Sequence, residues 1–438
     1  VGSMAQDRSK PVKSPKVKFV QYKLSNGLRA ILSPDPSAPV VAISVTYDVG
    51  SRNEREGRTG FAHLFEHMMF QGSTNVGKGE HFILINDNGG SFNGTTNSDR
   101  TNYFETLPSN QIDLGLFLEA DRMRGLDITQ TNLDNQRAVV QEERRQSYDN
   151  QPYGKSREAL SALAYKNFAY SHSTIGSMAG LNSATLDDVK AFFKTYYAPN
   201  NAVIAVVGDF KLNDVKAKIQ KYFGSIPSQP APPKVDVTEP ESSGEQRKSL
   251  TDPLARLTRV DIAYKTVPAD DPDYYALSVL STIISRGRNS RLRSAIVEKN
   301  LAMNVMGGQQ ESRGTGLFNF SITVPPGAAP EPAEKALDEV IAKIQQDGVT
   351  PEEMNAAQVS ARAGSFMRMG TALAKANALS QNAVFYNDPE RLNTLLERLQ
   401  SVTSSDVQRV AKKYLNKSNR VVITTDPLDD GGFGGFNP

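Results

Sequence analysis

Short apolar runs of strand type and longer runs of helical spacing are interleaved along the chain, so both element types are expected throughout. Residues 19–24 and 28–32 flank Asn26-Gly27, a pairing that predicts a tight hairpin. The β-branched stretch 40–47 reads as a strand, followed by a helix over about 59–70 and another over about 78–87. Two short strands are predicted near 92–96 and 101–107, then helices at 111–124, 130–148 and 155–164. This order predicts an α+β domain in which helices cover a largely antiparallel sheet.

The pattern then repeats. Residues 185–207 and 403–425 match at a constant offset of 218, pairing Thr185 with Thr403, Asp188 with Asp406, Tyr196 with Tyr414 and Asn201 with Asn419. Each copy opens on a Thr and Asp helix-start signal, runs through a helical pattern and turns into a β-branched strand. The strand at 41–47 matches 258–264 more weakly, at offset 217. A period this long indicates a duplicated domain, giving two tandem homologous α+β domains. Between them, residues 226–248 hold six prolines or glycines among charged residues and read as a semi-extended linker. The expected division is a leader at 1–16, a first domain at 17–228, a linker at 229–248, a second domain at 249–427 and a glycine-rich tail at 428–438.

Composition narrows the function classes. Lys and Arg number 50 against 48 for Asp and Glu, so charge gives no reason to expect nucleic acid or an anionic membrane as partner. The longest apolar stretches are too short for a transmembrane segment. Cysteine is absent, which excludes disulfides, thiolate metal sites and cysteine nucleophiles. Val1-Gly2-Ser3-Met4 looks like an expression scar, and Ala5-Gln6-Asp7 would suit a secreted protein after cleavage; a bacterial periplasm is the favoured compartment.

The chemistry concentrates in His63-Leu64-Phe65-Glu66-His67. Positions four apart on a helix lie one turn above each other, so both imidazoles can reach one metal ion. Glu66 stays on the same side, where a carboxylate can hold a water at the metal without being a ligand. This is a zincin arrangement with the acid beside the second histidine. The surrounding Phe61, Leu64, Phe65, Met68, Met69 and Phe70 would bury these groups at least in part, and buried polar groups need partners. A catalytic zinc takes three protein ligands. Spacing leaves Glu105, Glu119, Glu142 and Glu143 all open as the third.

Four strings, GRTGFAHLFEHMMFQGS, GGSFNGTTNSDRTNYFETLP, LEADRM and AVVQEERRQ, resemble the pitrilysin/insulinase family of inverted zincins, over residues 17 to 426. The likeness is to the two-domain branch that includes mitochondrial processing peptidase and its bacterial relatives. It implies a zinc metalloendopeptidase in which each chain forms half of a clamshell around a closed chamber that admits short or unfolded peptides. It also implies Glu143, 76 positions after His67, as third ligand in preference to Glu142. Glu66 would be the catalytic base, and Asn93 and Gly94 would lie on an edge strand that receives the substrate peptide. Gln136 stands where relatives often have a supporting glutamate, and Gly94 replaces a frequent alanine. His81 and His172 read as structural or surface residues.

The second half has no metal motif, since residues 274–284 contain neither histidine nor glutamate. In homodimeric relatives this half donates an arginine and a tyrosine to the facing subunit's site. Those places hold Val297 and Met303, neither of which can donate a hydrogen bond to an oxyanion. The expectation is a heterodimer with a homologous partner that lacks the zinc site and supplies the pair. A homodimer of altered activity and a non-catalytic scaffold are the alternatives.

Overall fold

The computed structural model describes residues 16–428, so the expectations for the leader and the glycine-rich tail lie outside the described residues, apart from Lys16 and Leu428. Two sheets organise the molecule. The first comprises β1 (Val20–Lys23), β2 (Arg29–Pro34), β3 (Val40–Tyr47), β4 (Ser91–Thr96), β5 (Thr101–Pro108) and β6 (Ala202–Gly208). Its order is β1-β2-β6-β3-β5-β4, antiparallel except for β2 against β6. The second comprises β7 (Gln246–Asp252), β8 (Arg259–Lys265), β9 (Asn304–Gln309), β10 (Leu317–Thr323) and β11 (Arg420–Pro427). Its order, β7-β11-β8-β10-β9, repeats the first with one strand fewer and the same single parallel pair, β7 against β11. Both sheets are mixed but mostly antiparallel, and the fold is the α+β architecture the pattern predicts.

The 218-residue repeat is visible in detail. Helices Leu186–Tyr196 and Ser404–Tyr414 each start with a reciprocal cap, Thr185 with Asp188 and Thr403 with Asp406. Each satisfies two backbone or side-chain donors that the first turn would otherwise leave bare. Each helix then leads into an interior strand of its sheet, β6 or β11, whose Val and Ile residues are buried on both faces.

Five helices of the first half matter for the site: α1 (Phe61–Met68), α2 (Glu80–Asp87), α3 (Ile112–Arg124), α4 (Gln130–Arg144) and α5 (Gly154–Ala164). The first sheet packs one face on α1, α3 and their neighbours around Phe65, Met68, Tyr103, Leu116 and Val206. Its other face carries Ile31, Ala42, Val203, Ala205 and Val207, and these meet the helix Ala372–Phe385 from the second half. Ser380 on that helix bonds Ser44 and Thr46 of β3 at 2.9 and 2.8 Å. In return α5 of the first half covers the second sheet, with Ala164 and Tyr165 against Ala263, Leu317 and Val421. The halves thus exchange a helix, and each completes the other's core.

The linker and the region after α4 add local detail. The proline-rich connection has no helix or strand through residue 243 and is also packed: Val235 and Val237 lie beside Tyr165 and Tyr170, and Glu239 accepts from the amides of Lys166 and Asn167. Its last residues, 246–248, already belong to β7. The helix expected over 130–148 ends at Arg144 and continues as a wider π turn over Arg145–Asp149. Arg144 itself, which the charge run Glu142 to Arg145 suggests is exposed, is buried and reaches Glu158 and the Gly176 carbonyl. No helix among the described residues is long and apolar enough to cross a membrane.

Candidate metal centre

Helix α1 is aimed by its own start. Gly60 caps it at φ 90°, a left-handed conformation that favours glycine, and a Cβ there would sit 2.7 Å from the Ile175 carbonyl oxygen. The buried Glu54 carboxylate accepts from the Gly60 and Ala62 amides at 2.9 and 2.8 Å, placing negative charge at the positive end of the helix. His172 holds Glu54 from the other side, with Nε2 at 3.0 Å from Oε2. Its Nδ1 lies 2.9 Å from the Phe168 carbonyl oxygen, so both ring nitrogens face acceptors and the ring must be an imidazolium to serve them. Burial works against that charge, but the hydrogen bond to Glu54 and its carboxylate charge outweigh it and raise the His172 pKa.

This clamp has a consequence for stability. A histidine with a raised folded-state pKa contributes stability that is fully present below its unfolded value of 6.5 and is lost as pH rises through the folded value. Burial raises the Glu54 pKa as well, and the contribution of that group starts to fall from about pH 4.5, below the His172 window. Wild-type Tm is therefore expected to fall as pH rises above about 6.5, with a steeper slope than His172→Gln shows. Calorimetric scans of the two proteins between pH 6 and 9 check this, and parallel slopes would contradict it.

His63 in the first turn of α1 and His67 in its last converge on Glu143, the next-to-last residue of α4. His63 Nε2 lies 3.6 Å from Glu143 Oε1, and His67 Nε2 lies 3.3 Å from Oε2. One donor atom from each residue falls within 4.8 Å of the others. Ligands at zinc distances of about 2.0–2.2 Å, tetrahedrally arranged, stand about 3.3–3.5 Å apart, so this donor set fits a zinc ion. Burial and the neighbouring His67 lower the His63 pKa to about 4, against the pull of Glu143, which keeps the ring neutral as a ligand must be. Glu143 is held low chiefly by its hydrogen bond to His67. Glu142 points elsewhere, bonding Arg145 and Gln146 on the solvent side.

The other acids that spacing left open are far from these nitrogens in function. Glu105 and Glu119 are buried with Arg122 beneath β5 and α3, where Arg122 forks onto Glu119 and His81 stands 3.8 Å from Glu105. His81 is therefore an interior histidine, packed edge-on against Phe70 and Phe92. Gln136 is buried and donates its amide to Asn135 Oδ1 at 2.7 Å. His63 Nδ1 is buried without a hydrogen-bond partner, so nothing on that side fixes its tautomer.

Glu66 is buried beside the two histidines and accepts a hydrogen bond from the Thr96 hydroxyl of β4. Burial raises its pKa, partly offset by Thr96. Thr96 is a site residue that the sequence reading missed, and no local signal marks it. Gly94, two residues earlier on the same strand, is close enough that a Cβ would stand 2.9 Å from Glu66 Cγ. β4 is the open edge of its sheet. The Asn97 amide bonds the Arg100 carbonyl oxygen at 3.0 Å, closing the hairpin and setting the phase of the ladder. Antiparallel alternation then turns the backbone polar groups of Phe92, Gly94 and Thr96 away from β5. In agreement, the Gly94 amide bonds Asn93 Oδ1 at 2.8 Å.

Two related sheets with a histidine pair and an acid on one helix, a carboxylate on a second and an open edge strand alongside define the class of an inverted-zincin peptidase fold. The family described as "Insulinase (Peptidase family M16)" matches residues 29–177, and "Peptidase M16 inactive domain" matches residues 183–360. The chain belongs to this peptidase M16 (insulinase/pitrilysin) family, with both of its domains present. It is 28% identical over 414 residues to "Zinc protease PqqE" of Helicobacter pylori, spanning 94% of this chain and 93% of that one. It is 24% identical to the Arabidopsis thaliana protein named "Probable mitochondrial-processing peptidase subunit beta, mitochondrial", over 93% of this chain and 78% of that one. The crystal structure of a protease from Helicobacter pylori superposes with a TM-score of 0.90 at 28% identity, covering 94% of this chain and all of the other.

Proposed function

We propose that the chain is a zinc metalloendopeptidase subunit, with His63, His67 and Glu143 as ligands and Glu66 as general base. The observation that carries this is the convergence of three donor atoms at zinc spacing beside a buried carboxylate and an open strand edge. When bound there, zinc supplies Lewis acidity that polarises a carbonyl and makes water easier to deprotonate. Glu66 takes the proton as water attacks the peptide carbonyl and returns it to the leaving amine. Thr96 fixes one Glu66 oxygen, leaving the other to do this work. An extended peptide adds to β4 through the outward groups of Phe92, Gly94 and Thr96, with the exposed Asn93 beside the scissile bond. Hydrolysis of a quenched fluorogenic peptide that stops on chelation and returns with zinc is the expected behaviour; chelator-resistant hydrolysis would contradict it.

The heterodimer is inferred from what the second half lacks. Met303 is exposed and Val297 ends a π turn, and neither carries a hydrogen-bond donor on its side chain. The chain is therefore read as the zinc-bearing member of a pair whose homologous partner supplies an arginine and a tyrosine to the oxyanion. Addition of such a partner is expected to raise peptide hydrolysis at least a hundredfold, the scale of one lost oxyanion donor. Equal rates with and without it would leave the homodimer as the better reading.

A further inference from the structure

Beyond the end of β4 lies a cavity of about 480 Å³ on the side of the sheet opposite α1. Its walls come from both halves: Asn97 and Arg100 from the β4–β5 hairpin, Glu311 after β9, Arg368 at the end of the helix Pro351–Arg368, and Asn377 and Gln381 on the helix Ala372–Phe385. Three guanidinium groups line it, Arg100, Arg368 and Arg391, against the single carboxylate of Glu311. Arg391 is buried and already committed, to Tyr275, the Ala269 carbonyl oxygen and the face of Tyr386. Glu311 is engaged by the Tyr386 hydroxyl.

The other two cations keep donors to spare. Arg100 gives Nη1 to the Thr95 carbonyl oxygen and hydroxyl at 2.7 and 2.6 Å, while its Nε is buried without a partner. Among the described residues no carboxylate stands within ion-pair distance of it, and burial lowers its pKa by more than the charges of Glu66, Glu311 and Asp99 raise it. Arg368 is exposed and also forms no ion pair among the described residues. A partly desolvated guanidinium facing a cavity gains most from a carboxylate, which it can bind with two parallel hydrogen bonds.

Position ties this cavity to the peptide-bearing edge. Gly94 sits against Glu66, and Asn97 is three residues further along, about 10 Å at strand rise. Side chains of a peptide paired with β4 point alternately to the two faces of the sheet, and one set points to the face that carries Thr95 and Arg100. We propose that this cavity is a specificity subsite for an acidic side chain of the substrate peptide, two to five residues from the cleaved bond, read by Arg100 and Arg368. The proposal rests on the peptidase reading with substrate along β4.

The test uses the zinc-loaded protein, with its partner if activity requires one, and a quenched peptide with alanine around a cut located by mass spectrometry. A single Asp or Lys is moved through positions two to five on each side of the cut. At one position Asp is expected to exceed Lys in kcat/KM by about tenfold, and Arg368→Glu to reverse that ratio. Arg100→Met, with Tm checked, is expected to bring the ratio close to one. Because each ratio is taken within one enzyme form, a general loss of activity does not affect it. Cleavage with the same Asp-to-Lys ratio in wild type and Arg368→Glu at every position overturns the subsite alone. Absence of any cleavage overturns the peptidase reading and the subsite with it.

Discussion

Glu66→Gln is expected to bind zinc as the wild type does and to lose hydrolysis by about 10²- to 10⁴-fold in kcat. The amide has the shape of the carboxylate and can keep the Thr96 contact, so packing around the histidines changes little. What it lacks is basicity, since an amide cannot accept the proton of the attacking water. The loss should therefore appear in kcat, with KM for an extended peptide nearly unchanged, because β4 and its outward groups are untouched. Metal content by mass spectrometry and steady-state kinetics on the same preparation check both halves of the claim. A zinc-loaded variant within a few-fold of wild-type kcat would remove Glu66 from the chemistry.

Glu143→Ala is expected to act one step earlier, on the metal itself. Glu143 is about 41% exposed, and its oxygens face the two imidazoles rather than the core, so its loss leaves the fold intact. Two histidines on one helix remain, without the anionic donor that completes three-fold ligation. Loss of a group that merely orients a ligand costs 10- to 100-fold in metal affinity, and loss of the ligand should exceed this. Glu142→Ala is the control: its carboxylate bonds Arg145 and Gln146 at the surface, and zinc affinity should stay within twofold of wild type. Competition titration with a chromogenic chelator measures all three proteins. Equal affinities for Glu143→Ala and wild type would exclude Glu143 as a ligand.

The readable parts of this molecule are those written locally. Asn26-Gly27 marks the β1–β2 hairpin because a tight turn needs residues that tolerate positive φ, and Gly27 has φ 93°. Thr185 with Asp188 and Thr403 with Asp406 mark helix starts because the cap is made by residues three apart. The i, i+4 histidines are legible for the same reason. The third acid was not, since Glu143 reaches His67 through the packing of α4 on α1, and only the family resemblance singled it out. The helix exchange between halves is equally hidden. Nothing in residues 372–385 says that they cover Val203 and Val207 rather than their own sheet. Thr96 is invisible for a similar reason, because its partner lies thirty residues away on another element. Arg144 misleads in the opposite direction, as its place in a charge run suggests solvent while the π turn after α4 and the nearby Glu158 draw it inward.

The proposed metal centre can be examined with the zinc edge itself. Crystals of the zinc-loaded chain, measured on both sides of the absorption edge, should show one anomalous peak about 2.0–2.2 Å from His63 Nε2, His67 Nε2 and a Glu143 oxygen, with Glu66 outside that distance. A peak at any other group of side chains, or imidazoles turned apart with no peak between them at saturating zinc, would contradict the account.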